Sequence, residues 1–174
     1  MIRRLVSTVA AFGAGALAFA ACPALAADAI DGSCALPGGP RVYVNVEGLK
    51  DRSGRLKVEL YPANEADFLK DDRDLVQEGK PFRRVWAPMP ASGPVTICIR
   101  APSAGQWALL FTHDRDGKNK FNFWQDGAGF PSNQRLGRSR PKLRQALLNV
   151  SPNGGAVTVR AQYLRGLGGF GPND

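Results

Sequence analysis

Two runs of strict alternation constrain this fold more than any other feature of the chain. Val42, Val44 and Val46 alternate with Arg41, Tyr43, Asn45 and Glu47, while Leu56, Val58 and Leu60 alternate with Arg55, Lys57, Glu59 and Tyr61. A two-residue period sends successive side chains to opposite faces of an extended strand, so each run marks a half-buried strand. Asp51-Arg52-Ser53-Gly54 between them supplies turn residues, which predicts that the two strands form an antiparallel hairpin.

Five more short runs, at 82–86, 95–99, 107–112, 146–150 and 157–163, lie between Pro, Gly, Asn or Ser clusters and read as strands. The run Gln106 to Thr112 is apolar on both faces, which predicts a central strand. Between Pro62 and Gly79 the alternation stops; Asn64 to Leu69 suits one helical turn capped by Asn64, inside a crossing connection. About seven strands and at most one short helix predict an all-β fold, a single antiparallel β-sandwich over residues 41–164. Residues 165–174 are rich in Gly, with little to bury beyond Phe170, and read as a flexible tail. There is no internal repeat and no sign of a second domain.

Residues 1–26 read as an export signal: Arg3 and Arg4 open it, Leu5 to Ala21 is apolar, and Ala24-Leu25-Ala26 supplies a small-x-small cleavage pattern. Arg3-Arg4 lacks the hydrophobic follow-on pattern of the folded-protein export route, and Phe19 is a poor residue three places before Cys22 for lipid attachment. Cleavage after Ala26 predicts a periplasmic or secreted protein of about 148 residues, with 27–40 as an N-terminal arm and no transmembrane segment. It also removes Cys22 and leaves Cys34 and Cys98, an even pair in an oxidising compartment, which predicts a disulfide. Cys98 sits on the face opposite to Val95, Ile97 and Ile99, so the bridge would pin the arm across a sheet face.

Without Arg3 and Arg4 the chain keeps 21 basic against 15 acidic residues, a formal charge of +6. In a periplasm the anionic partners are lipid headgroups, lipopolysaccharide or wall polymers; nothing resembles a nucleic-acid motif.

Specific chemistry concentrates at His113-Asp114-Arg115-Asp116-Gly117, which follows the central strand and holds the only histidine. Asp114, Asp116 and Asn122 suggest a calcium loop, because short oxygen-bearing side chains in a Gly-containing turn converge on a hard cation. Lys118 stands where a further oxygen donor belongs, and an ammonium repels the ion. His113 beside Asp114 also suggests a hydrolase base, but no nucleophile or oxyanion donors accompany it, so no catalytic residue is assigned. One histidine and a bridged cysteine pair leave too few ligands for zinc or copper.

Downstream, Phe121, Phe123, Trp124 and Phe130 are interleaved with Gly127, Gly129 and Pro131, as either a stacking platform or a minicore under a long loop. Arg135, Arg138, Arg140, Lys142 and Arg144 then place five positive charges within ten residues, either a solvated surface or a seat for phosphate-bearing groups. The candidate ligand-binding set is therefore His113, Asp114, Phe121, Phe123, Trp124, Arg135, Arg138 and Arg140.

These motifs, in this order, resemble a family of small exported bacterial proteins, domain-of-unknown-function family 2141. The likeness runs from about Arg41 to Tyr163 and rests on Val42 to Tyr61, Ala104-Gly105-Gln106-Trp107-Ala108, His113-Asp114 with Asp116-Gly117, Gly129-Phe130-Pro131-Ser132-Asn133, and Pro141 to Val150. It implies a transthyretin-like or prealbumin-like β-sandwich and an exported location, and no reaction. In the loop after His-Asp the family usually carries Asn at the positions of Asp116 and Lys118 and Asp at that of Asn122, so this chain departs from it at all three. The reading is thus a non-enzymatic envelope-associated or binding module acting through the loop from His113 to Asn133 and the basic stretch after it, with a calcium-stabilised module as the alternative.

Overall fold

The computed structural model describes residues 31–173; residues 1–26, read from the sequence as an export signal, lie outside the described residues. Ten strands form two sheets: β1 (Arg41–Glu47), β2 (Arg55–Pro62), β3 (Arg83–Pro88), β4 (Val95–Arg100), β5 (Gly105–Asp114), β6 (Gly127–Gly129), β7 (Leu147–Val150), β8 (Gly155–Arg160), β9 (Gln162–Leu164) and β10 (Phe170–Pro172). Among the described residues two short α-helices accompany them, α1 (Asp72–Gln77) and α2 (Leu143–Ala146). The small sheet has the order β4-β1-β8, and the large one β10-β9-β6-β5-β2-β3 with β7 also on β5. The β-rich sandwich and the Cys34–Cys98 disulfide follow expectation, although β1 and β8 pair in parallel where the other strand pairs are antiparallel.

The predicted hairpin is not formed. β1 pairs with β4 and β8, whereas β2 pairs with β3 and β5, so the segment after Glu47 carries the chain from one sheet to the other. The alternation was sound, since Val42, Val44, Val46, Leu56, Val58 and Leu60 all enter one core. That core, however, lies between the sheets, and two strands facing each other across a core show the same period as two strands side by side. Gly54 ends the crossing at φ 68°, and a Cβ there would stand 2.1 Å from the carbonyl oxygen of Asp114. Only glycine fits that approach.

β5 is central, as its two apolar faces require. Leu109 and Phe111 face the small sheet, while Ala108 joins Tyr61, Phe68, Leu75, Phe82, Ala128, Phe130 and Ala146 in a second cluster on the far face of the large sheet. The connection after Pro62 supplies Phe68 and Leu75 to that cluster. Its first turn is the expected one: Phe68 N–H donates to the Asn64 carbonyl at 3.0 Å, and the Asn64 side chain accepts from Asp67 N–H. The charged stretch beyond it folds into α1, capped by Asp71 and anchored by the buried Leu75.

Two other expectations change. The single run read over 157–163 is two strands in different sheets, because the chain switches sheets at the buried Ala161, whose N–H donates to Glu47 at 2.8 Å. The Gly-rich end, read as a flexible tail, contributes β10 on β9, with Phe170 buried and the residue 137 backbone paired to it at 2.6 and 2.9 Å. Its glycines make this possible by letting backbones meet closely: at Gly169, φ 72°, a Cβ would collide with the Gly137 carbonyl at 2.2 Å.

Candidate functional site

His113, at the end of β5, is fully buried and both ring nitrogens are engaged. Nε2 lies 2.8 Å from the Ser53 carbonyl, which only accepts, so Nε2 carries the proton. Nδ1 then accepts from the Tyr163 hydroxyl at 2.7 Å, and the Tyr163 oxygen accepts from Lys50 N–H at 3.0 Å. The chain is closed with a neutral imidazole; a second ring proton would meet another donor. Burial lowers the His113 pKa and pushes the Tyr163 hydroxyl up to about 12. These residues tie the sheet-crossing loop to β5 and β9.

A stability test follows. An unfolded imidazole takes a proton near its ordinary pKa of 6.5, the folded one only at lower pH. Folding stability held above that value therefore falls as pH drops below it, toward the folded pKa. Urea midpoints measured between about pH 7 and pH 5 should decline in the native protein, and the decline should flatten in His113→Phe.

Asp114 points away from His113 and is also buried. Its Oδ2 accepts from Arg55 Nε at 2.9 Å and from Asn119 N–H at 3.2 Å, whereas Oδ1 is buried without a partner. The acids converging here are Asp114, Asp116 and Asp126, with carboxylate oxygens within 4.8 Å of one another. Asp126, which the sequence reading did not include, is the third carboxylate. Asn122 instead donates through Nδ2 to Asp116 at 3.0 Å and through its backbone N–H to Asp126 at 2.7 Å. Asp126 also accepts from Arg115 N–H at 2.8 Å, so it staples both ends of the loop. The Arg115 side chain turns away to Asp51, whose carboxyl its guanidinium holds well below the usual carboxylate range.

The aromatic stretch divides. Phe130 is buried in the outer cluster, as a minicore requires, but Phe121, Phe123 and Trp124 are exposed. Phe121 and Phe123 stack on Phe170 of β10, with centroids 6.0 and 4.9 Å apart. Between this wall and the far face of the large sheet lies a pocket of about 470 Å³. Its floor is Lys57, Glu59 and Tyr61 from β2 with Leu110 and Thr112 from β5; Phe121, Phe123 and Phe170 form one wall, and Arg138 and Arg140 stand at the other.

Glu59 is buried on this floor and neutralised in place. Arg84 Nε donates to it at 2.8 Å, and Lys57 Nζ lies 3.2 Å away. Arg138 and Arg140 donate only to backbone carbonyls, of Leu167 and Leu69. Carbonyl acceptors leave the guanidinium charge uncompensated, and among the described residues no carboxylate pairs with either. Arg135 lies outside the pocket, against residues 168 and 171 of the tail. Lys142, the N-cap of α2, and Arg144 within it are exposed.

The pocket thus assembles Phe121, Phe123, Arg138 and Arg140 from the predicted residues, and leaves out His113, Asp114 and Arg135; Trp124 stands just beyond it. It adds Lys57, Glu59, Leu110 and Phe170, which sequence reasoning placed on a solvated face, in a strand or in the tail. The signal available was β5 itself, because apolar residues on both of its faces require a cover on the second one.

Residues 44–158 match the family described as "Uncharacterized protein conserved in bacteria (DUF2141)". The chain belongs to this family. The match spans the sheet-crossing loop, the His113 turn and most of the pocket lining, while β9 and β10, with Tyr163 and Phe170, lie beyond its end. No curated protein and no solved structure matches this DUF2141 member. Among its described residues no helix is long and apolar enough to cross a membrane.

Proposed function

We propose that the protein is an exported, non-catalytic binding module whose ligand is a small amphipathic anion held between the aromatic wall and the large sheet. The observation that carries this is the pocket: its volume lies in the usual range for small-molecule sites, its walls are apolar, and two arginines without carboxylate partners stand at its side. Glu59 does not repel an anion there, because Arg84 and Lys57 offset its charge. His113 supports a structural role rather than catalysis, since neither ring nitrogen is free. Export is supported by the bridged cysteines, which persist in oxidising compartments.

Titration calorimetry with a medium-chain fatty acid and the alcohol of equal length tests this. The acid is expected to bind more tightly than the alcohol, and Arg138→Glu with Arg140→Glu to weaken the acid by roughly tenfold or more. Leu110→Trp, filling the pocket from β5, should remove binding of both. No heat from either amphiphile would sink the reading.

A second reading, a calcium-stabilised loop, is favoured by the unpartnered Asp114 Oδ1 beside Asp116 and Asp126. A cation bound only by the folded state must raise the melting temperature. A rise with millimolar calcium, reversed by chelator and absent in Asp126→Asn, is the expected result; an unchanged melting point rules it out.

A further inference from the structure

Beside the pocket stands an apolar corner that the protein leaves uncovered. Trp124 is 79% exposed and Leu167 is 88% exposed, the two most exposed large apolar side chains among the described residues. They come from distant parts of the chain, the turn after Asn122 and the 3-10 turn Gly166–Gly168, yet line one shallow depression with Phe123, Leu164 and Arg138. Fold stability does not account for such exposure, because each side chain forgoes the burial that stabilises the cores.

Among the described residues, the charged side chains that reach this corner are arginines. Arg138 and Arg135 reach across the turn and donate to the carbonyls of Leu167 and Gly168, and Arg165 donates to the Pro172 carbonyl at 3.1 Å. Among the described residues none of the three has a carboxylate in ion-pairing range, and no acid lines the depression. Trp and Leu at a tip ringed by arginines match the layered chemistry of an anionic bilayer, where indole settles at headgroup depth and basic side chains meet phosphates. A protein partner would offer both signs of charge; a surface that is uniformly negative fits this corner better.

We propose that this corner docks the protein on anionic lipid bilayers, with Trp124 and Leu167 inserted among the headgroups and Arg135, Arg138 and Arg165 on lipid phosphates. The pocket shares Phe123 and Arg138 with the corner, so docking sets its mouth against the membrane. The docking stands without the pocket reading.

The test is co-sedimentation with vesicles of phosphatidylcholine alone and of phosphatidylcholine mixed with phosphatidylglycerol, together with tryptophan emission. Trp107 is buried and Trp86 half-buried, so a blue shift that Trp124→Phe loses belongs to Trp124. The expected result is salt-sensitive binding to the mixed vesicles only, with that shift. Trp124→Ser with Leu167→Ser should weaken it by roughly tenfold or more, as should Arg135→Glu with Arg165→Glu; all four positions are exposed, and unchanged melting verifies the fold. Leu110→Trp should keep vesicle binding by sedimentation, which separates failure of the pocket from failure of the docking. Absence of binding to mixed vesicles, equal binding to both kinds, or binding untouched by the Trp124 and Leu167 changes overturns the proposal. So does a dimer that forms through the corner in the absence of vesicle binding.

Discussion

Cys34→Ser, or reduction of the native protein, is expected to lower folding stability by about 4 kcal/mol, or roughly 10 °C in melting temperature. The bridge joins residues 64 apart in sequence with Cα atoms 5.8 Å apart, and the unfolded chain gains the entropy of that loop when it opens. Its location adds a second effect. Asp31 bridges to Arg84 on β3 and Ser33 to Ile99 on β4, with Gly32 N–H donating to Arg84 at 2.9 Å and Arg100 N–H to Gly32 at 2.7 Å. β3 is the edge of the large sheet and β4 the edge of the small one, so the arm closes the open side of the sandwich instead of crossing a sheet face. Urea unfolding of the oxidised protein against reduced protein and Cys34→Ser measures both effects. A loss below about 1 kcal/mol would show that backbone pairing alone holds the arm.

Glu59→Ala is expected to cost about 3 kcal/mol, the lower end for breaking a buried ion pair, because Arg84 keeps Asp72 at 2.9 Å when Glu59 is removed. The exchange of both partners, Glu59→Leu with Arg84→Met, should recover most of that loss, since no guanidinium is then stranded and the charges that lose a partner, Lys57 and Asp72, are partly exposed. A double-mutant cycle in urea reads the difference as coupling; purely additive losses would mean that the pair contributes nothing specific. Glu59→Gln carries a functional counterpart, because it frees the positive charge of Lys57 on the pocket floor. Binding of the fatty-acid probe should tighten in that variant, while the alcohol is unaffected.

The strands were legible wherever one face is buried and the other wet. The periods at 41–47 and 55–61 set their inward residues correctly, and the two apolar faces of 106–112 announced a central strand with cover on both sides. The three-residue strands β6, β9 and β10 were not legible as such, because a run so short shows no period; they exist because β5 and one another offer ladder partners. At the candidate site, local spacing pointed to Asp114, Asp116 and Asn122. Asp126 joins them only through the closure of the loop, where its carboxylate accepts from Arg115 and Asn122. Arginines 135, 138 and 140 look equivalent in sequence, but the fold sends Arg135 to the tail, Arg140 to the pocket and Arg138 to the seam between the two.

By itself, then, the sequence determined a β-rich sandwich, its principal inward-facing residues, the Cys34–Cys98 pair and the family motifs around His113. These follow from local periodicity, from cysteine count and from residue order. Tertiary structure alone decided that Val42 to Tyr61 spans two sheets, that His113 is spent on Tyr163 and Ser53, and that Phe170–Pro172 forms a strand. It also decided that the aromatic stretch divides, with Phe130 in the outer core cluster and Phe121 and Phe123 walling the pocket. Each of these depends on which surfaces meet across a distance, and periodicity states only that a face is apolar, not what covers it.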